Sequence, residues 1–221
     1  MIMMIRVLER MYRSSFGRVM SFVARQVAWL HEPFMVYGYY DYFSRSFRKY
    51  TRMSSTVKIL NRKALSVGNQ VWVSHYSILD ASQGLIIGEG CQIGAWVGIF
   101  THGSEKSIRL LGREYVHIPN IERKGYSRGK VEIGAYTFIG GRSMILPGVK
   151  VGKGCLIGAG TVVTKDIPDY SIVIGSPGQI KGSTIDMDKE FLKDDDFSDT
   201  YYDSQALAMI RRSLVPEVDK K

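Results

Sequence analysis

The chain has 221 residues, 45% hydrophobic and 23% charged, with a formal net charge of +9, enough for one packed domain with terminal additions. Its two cysteines lie far apart and without metal-ligand spacing, which argues against a disulfide scaffold or a zinc site. No uncharged apolar run approaches the ~18 residues of a membrane-spanning helix. Arg6, Arg10, Arg13 and Arg18 interrupt any signal-peptide core, so a cytoplasmic location is the default expectation.

Charge is polarised along the chain. Residues 1–52 hold nine Lys/Arg against three Asp/Glu, whereas residues 183–221 hold ten acidic and six basic side chains. No nucleic-acid motif accompanies the basic head; an anionic membrane surface or an anionic substrate suits it at least as well. Within residues 1–55 the spacing of Ile5, Leu8, Tyr12, Phe16, Val19, Phe22 and Val23 predicts an amphipathic, basic helical segment. Pro33 is a plausible stop, and "YGYYDYF" (Tyr37–Phe43) is an aromatic approach to the middle of the chain.

From residue 56 to 182 a different period takes over. Val67, Val73 and Leu79 recur six apart, then Ile87, Ile93 and Ile99, then Ile133, Ile139, Ile145, Val151, Ile157 and Val163. In the second and third of these runs glycine comes directly after Ile87, Ile93, Ile133, Ile139, Val151 and Ile157, at Gly88, Gly94, Gly134, Gly140, Gly152 and Gly158. A period of six fits neither a helix nor a lone amphipathic strand; it fits an all-β solenoid of short strands joined by tight corners. The position four after each aliphatic should also face inward and be small. It reads Cys91, Val97, Thr137, Ser143, Val149, Cys155 and Thr161, which makes both cysteines core filler.

The beat stops after Ile99. The distance from Ile99 to Ile133 is not a multiple of six, so residues 103–130 must leave the solenoid and return, with His102 at the lip. An imidazole can take and return a proton near neutral pH, so a histidine at such a lip is a candidate general base. The tail, residues 183–221, is acidic, with a short helix expected around Ser204–Leu214 before a polar, frayed end.

The stretch "IGAYTFIGGRSMILPGVKVGKGCLIGAGTVVTKDIPDYSIVIGSP" (Ile133–Pro177) resembles the hexapeptide-repeat acyltransferases. More narrowly it is similar to the maltose and galactoside acetyltransferase type and to sugar O-acetyltransferases of bacterial polysaccharide synthesis. The resemblance implies a left-handed parallel β-helix, a homotrimer, and acetyl-CoA as co-substrate with no metal. It also implies direct acetyl transfer to a sugar hydroxyl of a glycan precursor, with His102 as general base and no acyl-enzyme. Related sequences often carry a further histidine where this chain has Ser104. The resemblance places the donor at Phe138 (where tryptophan is usual), Gly140, Gly141, Ala159, Gly160, Thr164, Lys165 and Lys181. Arg142 replaces a common small residue and, with His75 and His117, is a candidate for acceptor contact. Glu105 and Asp80 both remain open as the carboxylate that orients His102. The alternatives are an N-acyltransferase on an amino sugar and a non-catalytic β-helix assembly protein. Serine acetyltransferase is disfavoured by the short basic head.

Overall fold

The computed structural model describes residues 32–193 and 200–214, together with Val19 and Val23. The chain divides into two compact units, Met1–Phe34 and Met35–Lys221. Val19 and Val23 are helical and half exposed; the rest of the basic segment up to residue 31 lies outside the described residues, as does the polar end after Leu214.

Helical character does not extend to residue 55. Met35–Asp41 (β1) and Ser46–Ser54 (β2) pair antiparallel, from Met35↔Ser54 to Asp41↔Ser46. The cause is local: tyrosine and phenylalanine favour the pleated backbone, and Asp41 builds the turn. Its Oδ1 accepts from the Phe43 and Ser44 amides at 2.9 and 3.3 Å, and its Oδ2 accepts from the Ser44 hydroxyl at 2.8 Å. The end of β2 then pairs parallel with Trp72–Val73, so stacking begins at Arg52 rather than after residue 55.

From there the chain visits three parallel ladders in turn. Lys58–Leu60 (β3) precedes the first full coil of Leu65–Val67 (β4), Trp72–Val73 (β5) and Ile78–Asp80 (β6). The second coil is Leu85–Ile87 (β7), Gln92–Ile93 (β8) and Gly98–Ile99 (β9). After His102–Gly103 (β10) comes an excursion holding Ser107–Leu111 (α1), which returns through Ser127–Arg128 (β11). The third coil is Val131–Ile133 (β12), Phe138–Ile139 (β13) and Met144–Ile145 (β14). The fourth is Lys150–Val151 (β15), Leu156–Ile157 (β16) and Val162–Val163 (β17). Ser171–Ile174 (β18), Gln179–Ser183 (β19), Thr184–Asp188 (α2) and Ser204–Leu214 (α3) complete the chain.

The six-residue beat is the register of these ladders. Val67, Ile87, Ile133 and Val151 are consecutive partners on one face. Val73, Ile93, Ile139 and Ile157 align on the second, and Leu79, Ile99, Ile145 and Val163 on the third. All twelve side chains are buried. Between these aliphatics sit the seven small residues, also buried. Two of their hydroxyls donate to carbonyls of the neighbouring coil, Thr137 to Gly152 at 2.8 Å and Ser143 to Gly158 at 2.9 Å, and the Thr161 hydroxyl accepts from the Gly175 amide at 3.3 Å. An unpaired buried hydroxyl would cost about 1–3 kcal/mol, so these bonds are a condition of using polar filler. Burial pushes the Cys91 thiol up to about 12, which keeps it protonated and inert.

The excursion is inserted without disturbing the frame. Ile99 and Ile145 are direct partners although 46 positions apart, against 18 for the uninterrupted step from Ile145 to Val163. The antiparallel pairs His102↔Arg128 and Gly103↔Ser127 close its neck. Limited proteolysis is expected to cut first between residues 112 and 126, where exposed single turns replace ladder bonds. First cleavage within 133–163 would contradict this register. The acidic tail is docked: Asp203 pairs with Lys153 at 2.6 Å and accepts from the Tyr170 hydroxyl at 2.7 Å, and Tyr202 packs on Tyr136.

Candidate functional site

Asp80 ends β6, and the chain's next pass over the same corner is Phe100–Thr101–His102. Asp80 is fully buried. Its Oδ2 accepts from the Thr101 amide at 2.8 Å and the Thr101 hydroxyl at 2.9 Å, and its Oδ1 accepts from the Ser82 amide at 2.9 Å. Burial alone would raise this carboxyl; the hydrogen bonds from Ser82 and Thr101 outweigh it and hold Asp80 below the usual range. The same Oδ2 lies 2.7 Å from His102 Nδ1. Nδ1 is itself buried, and the approach falls short of hydrogen-bond geometry. It turns Nδ1 into the protein and leaves Nε2 on the open side.

Of the two carboxylates open in the sequence, Asp80 is therefore the one at the ring. Glu105 turns to the neck of the excursion, where it accepts from Ser127.

His102 lines a cleft of about 440 Å³ shared with Ser82, Gln83, Asn120, Ile121, Tyr126 and Arg128. The Tyr126 ring lies nearly parallel to the imidazole, 5.8 Å between centroids at 11°. Arg128 stacks over the other partner of that pair, 4.6 Å from the Tyr126 ring, and its guanidinium also donates to the Asn120 carbonyl. Sequence reasoning missed Tyr126, Arg128 and Asn120. The available signal was topological: a loop that leaves at His102 must come back beside it, so its last residues face its first.

The remaining candidates do not gather at the cleft. His75 sits at the corner after β5, its Nδ1 2.6 Å from the Ser54 hydroxyl, and His117 is exposed at the end of a turn in the excursion; neither lines the cleft. Phe138 is half exposed on β13, and Gly140, Gly141 and Arg142 form the next corner, with Ala159 and Gly160 one coil on. Thr164 and Lys165 are exposed just past β17, on the same edge as His102 but two coils away. Lys181 is exposed on β19 and donates to Gln179 at 3.0 Å. The glycines differ in what they do. A Cβ at Gly140 would stand 2.5 Å from the Ala159 amide nitrogen, so Gly140 is required for coil stacking; at Gly160 nothing lies within 4 Å. No group of three metal-ligating side chains occurs among the described residues.

Residues 130–165 match the family of bacterial transferase hexapeptide repeats, six repeats in length. That segment of the chain carries the repeat of this family. A Staphylococcus aureus (strain Mu50) protein bearing an acetyltransferase name is 48% identical over 58 residues, 26% of this chain and 29% of that one. The serine acetyltransferase of Bacillus pumilus is 28% identical over 172 residues, 76% of this chain and 68% of its own length. Among solved structures, a maltose O-acetyltransferase from Clostridium difficile 630 aligns with a TM-score of 0.50 at 25% identity, covering 58% of this chain and 64% of that one. A galactoside acetyltransferase in complex with coenzyme A aligns with a TM-score of 0.52 at 24% identity, covering 60% and 62%. The chain thus spans under a third of the length of the first of these relatives, and its likeness to the solved galactoside enzyme is one of fold.

Proposed function

We propose that this hexapeptide-repeat protein is an acetyl-CoA-dependent O-acetyltransferase acting on a sugar hydroxyl, with His102 as general base. The observation that carries the reading is the His102–Asp80 pair at the mouth of a cleft. Asp80 stays ionised, fixes the ring and favours the imidazolium once it forms; the open Nε2 takes the hydroxyl proton as the oxygen attacks the thioester carbon. The same nitrogen returns that proton to the departing thiolate, so no acyl-enzyme is needed. The cleft's Ser82, Gln83 and Asn120 suit a polyhydroxylated acceptor, and Tyr126 suits the apolar face of a sugar ring.

Acetyl-CoA fits the residues present: Gly160 leaves open space beside the backbone, and Thr164 and Lys165 offer an exposed hydroxyl and a cation for phosphate. The fold this reading assumes is a left-handed β-helix assembled as a homotrimer. Its support is the outward face of two ladders, where Trp72, Phe138 and Leu156 line one beside Gln92, and Ile78, Met144 and Val162 the other beside Gly98, while the third shows Ser66, Glu132 and Lys150 beside Ile86. Within one chain the Gly140–Arg142 corner and His102 lie on opposite sides of the ladder holding β14. Joining the glycine edge of one copy to His102 of the next would bring donor and base together.

A second reading, acetylation of serine, is favoured by the long match to the Bacillus pumilus enzyme, and Arg128 could meet an amino-acid carboxylate. Thiol release from acetyl-CoA, measured in parallel with sugars, amino sugars and serine, tests both readings. No release with any acceptor overturns them.

Asp80→Asn is expected to lower kcat by tenfold or more with the KM for acetyl-CoA unchanged. It should also change acid stability in a defined way. A carboxyl held below its ordinary value stabilises the fold above about pH 4, and that contribution is lost as pH falls through the depressed value. The variant should therefore unfold more easily at pH 7, by about 1–3 kcal/mol, and converge on the parent in acid. Equal stabilities at pH 7, by urea unfolding, would contradict the bonding described for Asp80.

A further inference from the structure

The β1–β2 hairpin exposes Tyr37, Tyr40, Tyr42, Phe43, Phe47 and Tyr50, with Tyr37 at 73% and Phe47 at 65%. Aromatic exposure of this density on one hairpin marks an interaction surface. Cations alternate with the rings: Lys49 Nζ lies 5.3 Å from the Tyr50 ring, Arg52 lies 5.9 Å from Tyr37, and Arg45 is exposed in the turn. The hairpin's one carboxylate, Asp41, is fully buried and engaged by the turn and by Arg48 at 3.5 Å. The surface is therefore aromatic and positive with no exposed negative charge.

Beside it lies a cavity of about 320 Å³ whose walls include Val36, Tyr39, Tyr42, Met53, Val57 and Arg62. The Tyr39 hydroxyl is buried there without a hydrogen-bond partner, and Arg62 makes no ion pair among the described residues. Burial, opposed by the Arg62 guanidinium, moves Tyr39 up to about 12, so its O–H remains a donor at neutral pH. An anionic oxygen in the cavity would accept from Tyr39 and neutralise Arg62.

We propose that the β1–β2 hairpin docks on an anionic membrane surface, with the Tyr42–Arg45 turn in the interfacial layer and a lipid phosphate in the Tyr39–Arg62 cavity. Aromatic side chains settle at the headgroup level, and cations beside them are drawn to anionic lipid. A second copy of the chain fits less well, because a like surface would set cations against cations in a protein of net charge +9.

Flotation of the full-length protein tests this, using vesicles of phosphatidylcholine alone and of phosphatidylcholine mixed with phosphatidylglycerol. The protein should float with the mixed vesicles and not with the neutral ones. Arg45→Gln with Lys49→Gln should weaken binding about 25-fold, about fivefold for each cation, and Arg62→Gln about fivefold. Phe43→Ser with Phe47→Ser should weaken it about tenfold or more. All variants should elute from gel filtration as the parent does. Failure of the parent to float with mixed vesicles overturns the proposal, as does parent-like flotation of the variants. A smaller assembly in the Phe43/Phe47 variant, without vesicles, also overturns it by assigning the hairpin to a contact between copies.

Discussion

His102→Ala is expected to lower kcat by about 10²–10⁴ while acetyl-CoA binding survives. The substitution removes the one imidazole in the cleft and little else. Asp80 keeps its bonds from Thr101 and Ser82, so the buried carboxylate is not stranded. The glycine edge proposed for the donor lies at another corner of the coil. Thiol release and calorimetric titration with coenzyme A would separate the two effects. Near-normal turnover would remove His102 as base and leave His75 and His117, which stand outside the cleft, as the histidines to examine.

The second large effect is on stability, at Gly140. Its amide donates to Ile157 at 2.7 Å, so the two coils are clamped together where any side chain would enter. Gly140→Val would press carbon against the Ala159 backbone, which cannot move without breaking ladder bonds on both sides. A loss of about 3 kcal/mol or more is expected, a fall in Tm of about 6–12 °C at 2–4 °C per kcal/mol. Gly160→Ala is the contrast. Its Cβ would meet nothing, and only the φ of +70° resists it, at about 1–2 kcal/mol. This variant should instead raise the KM for acetyl-CoA. At Gly141 a Cβ would stand 3.0 Å from the Ala95 carbonyl, so Gly141→Val should show both effects, each in smaller measure. Parent-like unfolding of Gly140→Val would mean the coils do not stack as described.

The solenoid was legible because one physical demand repeats: each ladder position needs one large aliphatic and, four residues later, one small filler. Within each run from Val67 to Val163 the aliphatics keep their spacing without a long-range guess, and the filler lapses only after Leu79, Ile99 and Val163. His102 was legible for the opposite reason, as the place where the demand lapses. The hairpin was not, because Tyr39, Tyr40 and Phe43 fit helical and alternating spacings equally well, and only the turn built on Asp41 decides between them. Nor could the sequence choose Asp80 over Glu105. Asp80 is 22 positions from His102 and reaches it only because successive coils superpose β6 and β9. Tyr126 and Arg128 return to the same place from the far end of the excursion, and no local pattern records that closure.

The two outermost strands of the longest ladder, β1 and β19, both run against their neighbours. A stack of like coils is a seed for its own continuation, since the last coil of one molecule offers the first coil of another an unpaired edge of matching direction. Such a union is head-to-tail and never closes on itself, so it would grow into a fibre. The antiparallel β1 and β19 cap this ladder, so a newcomer meets neither its first nor its last coil strand directly. On this ladder, the repeating coils are shielded at both ends.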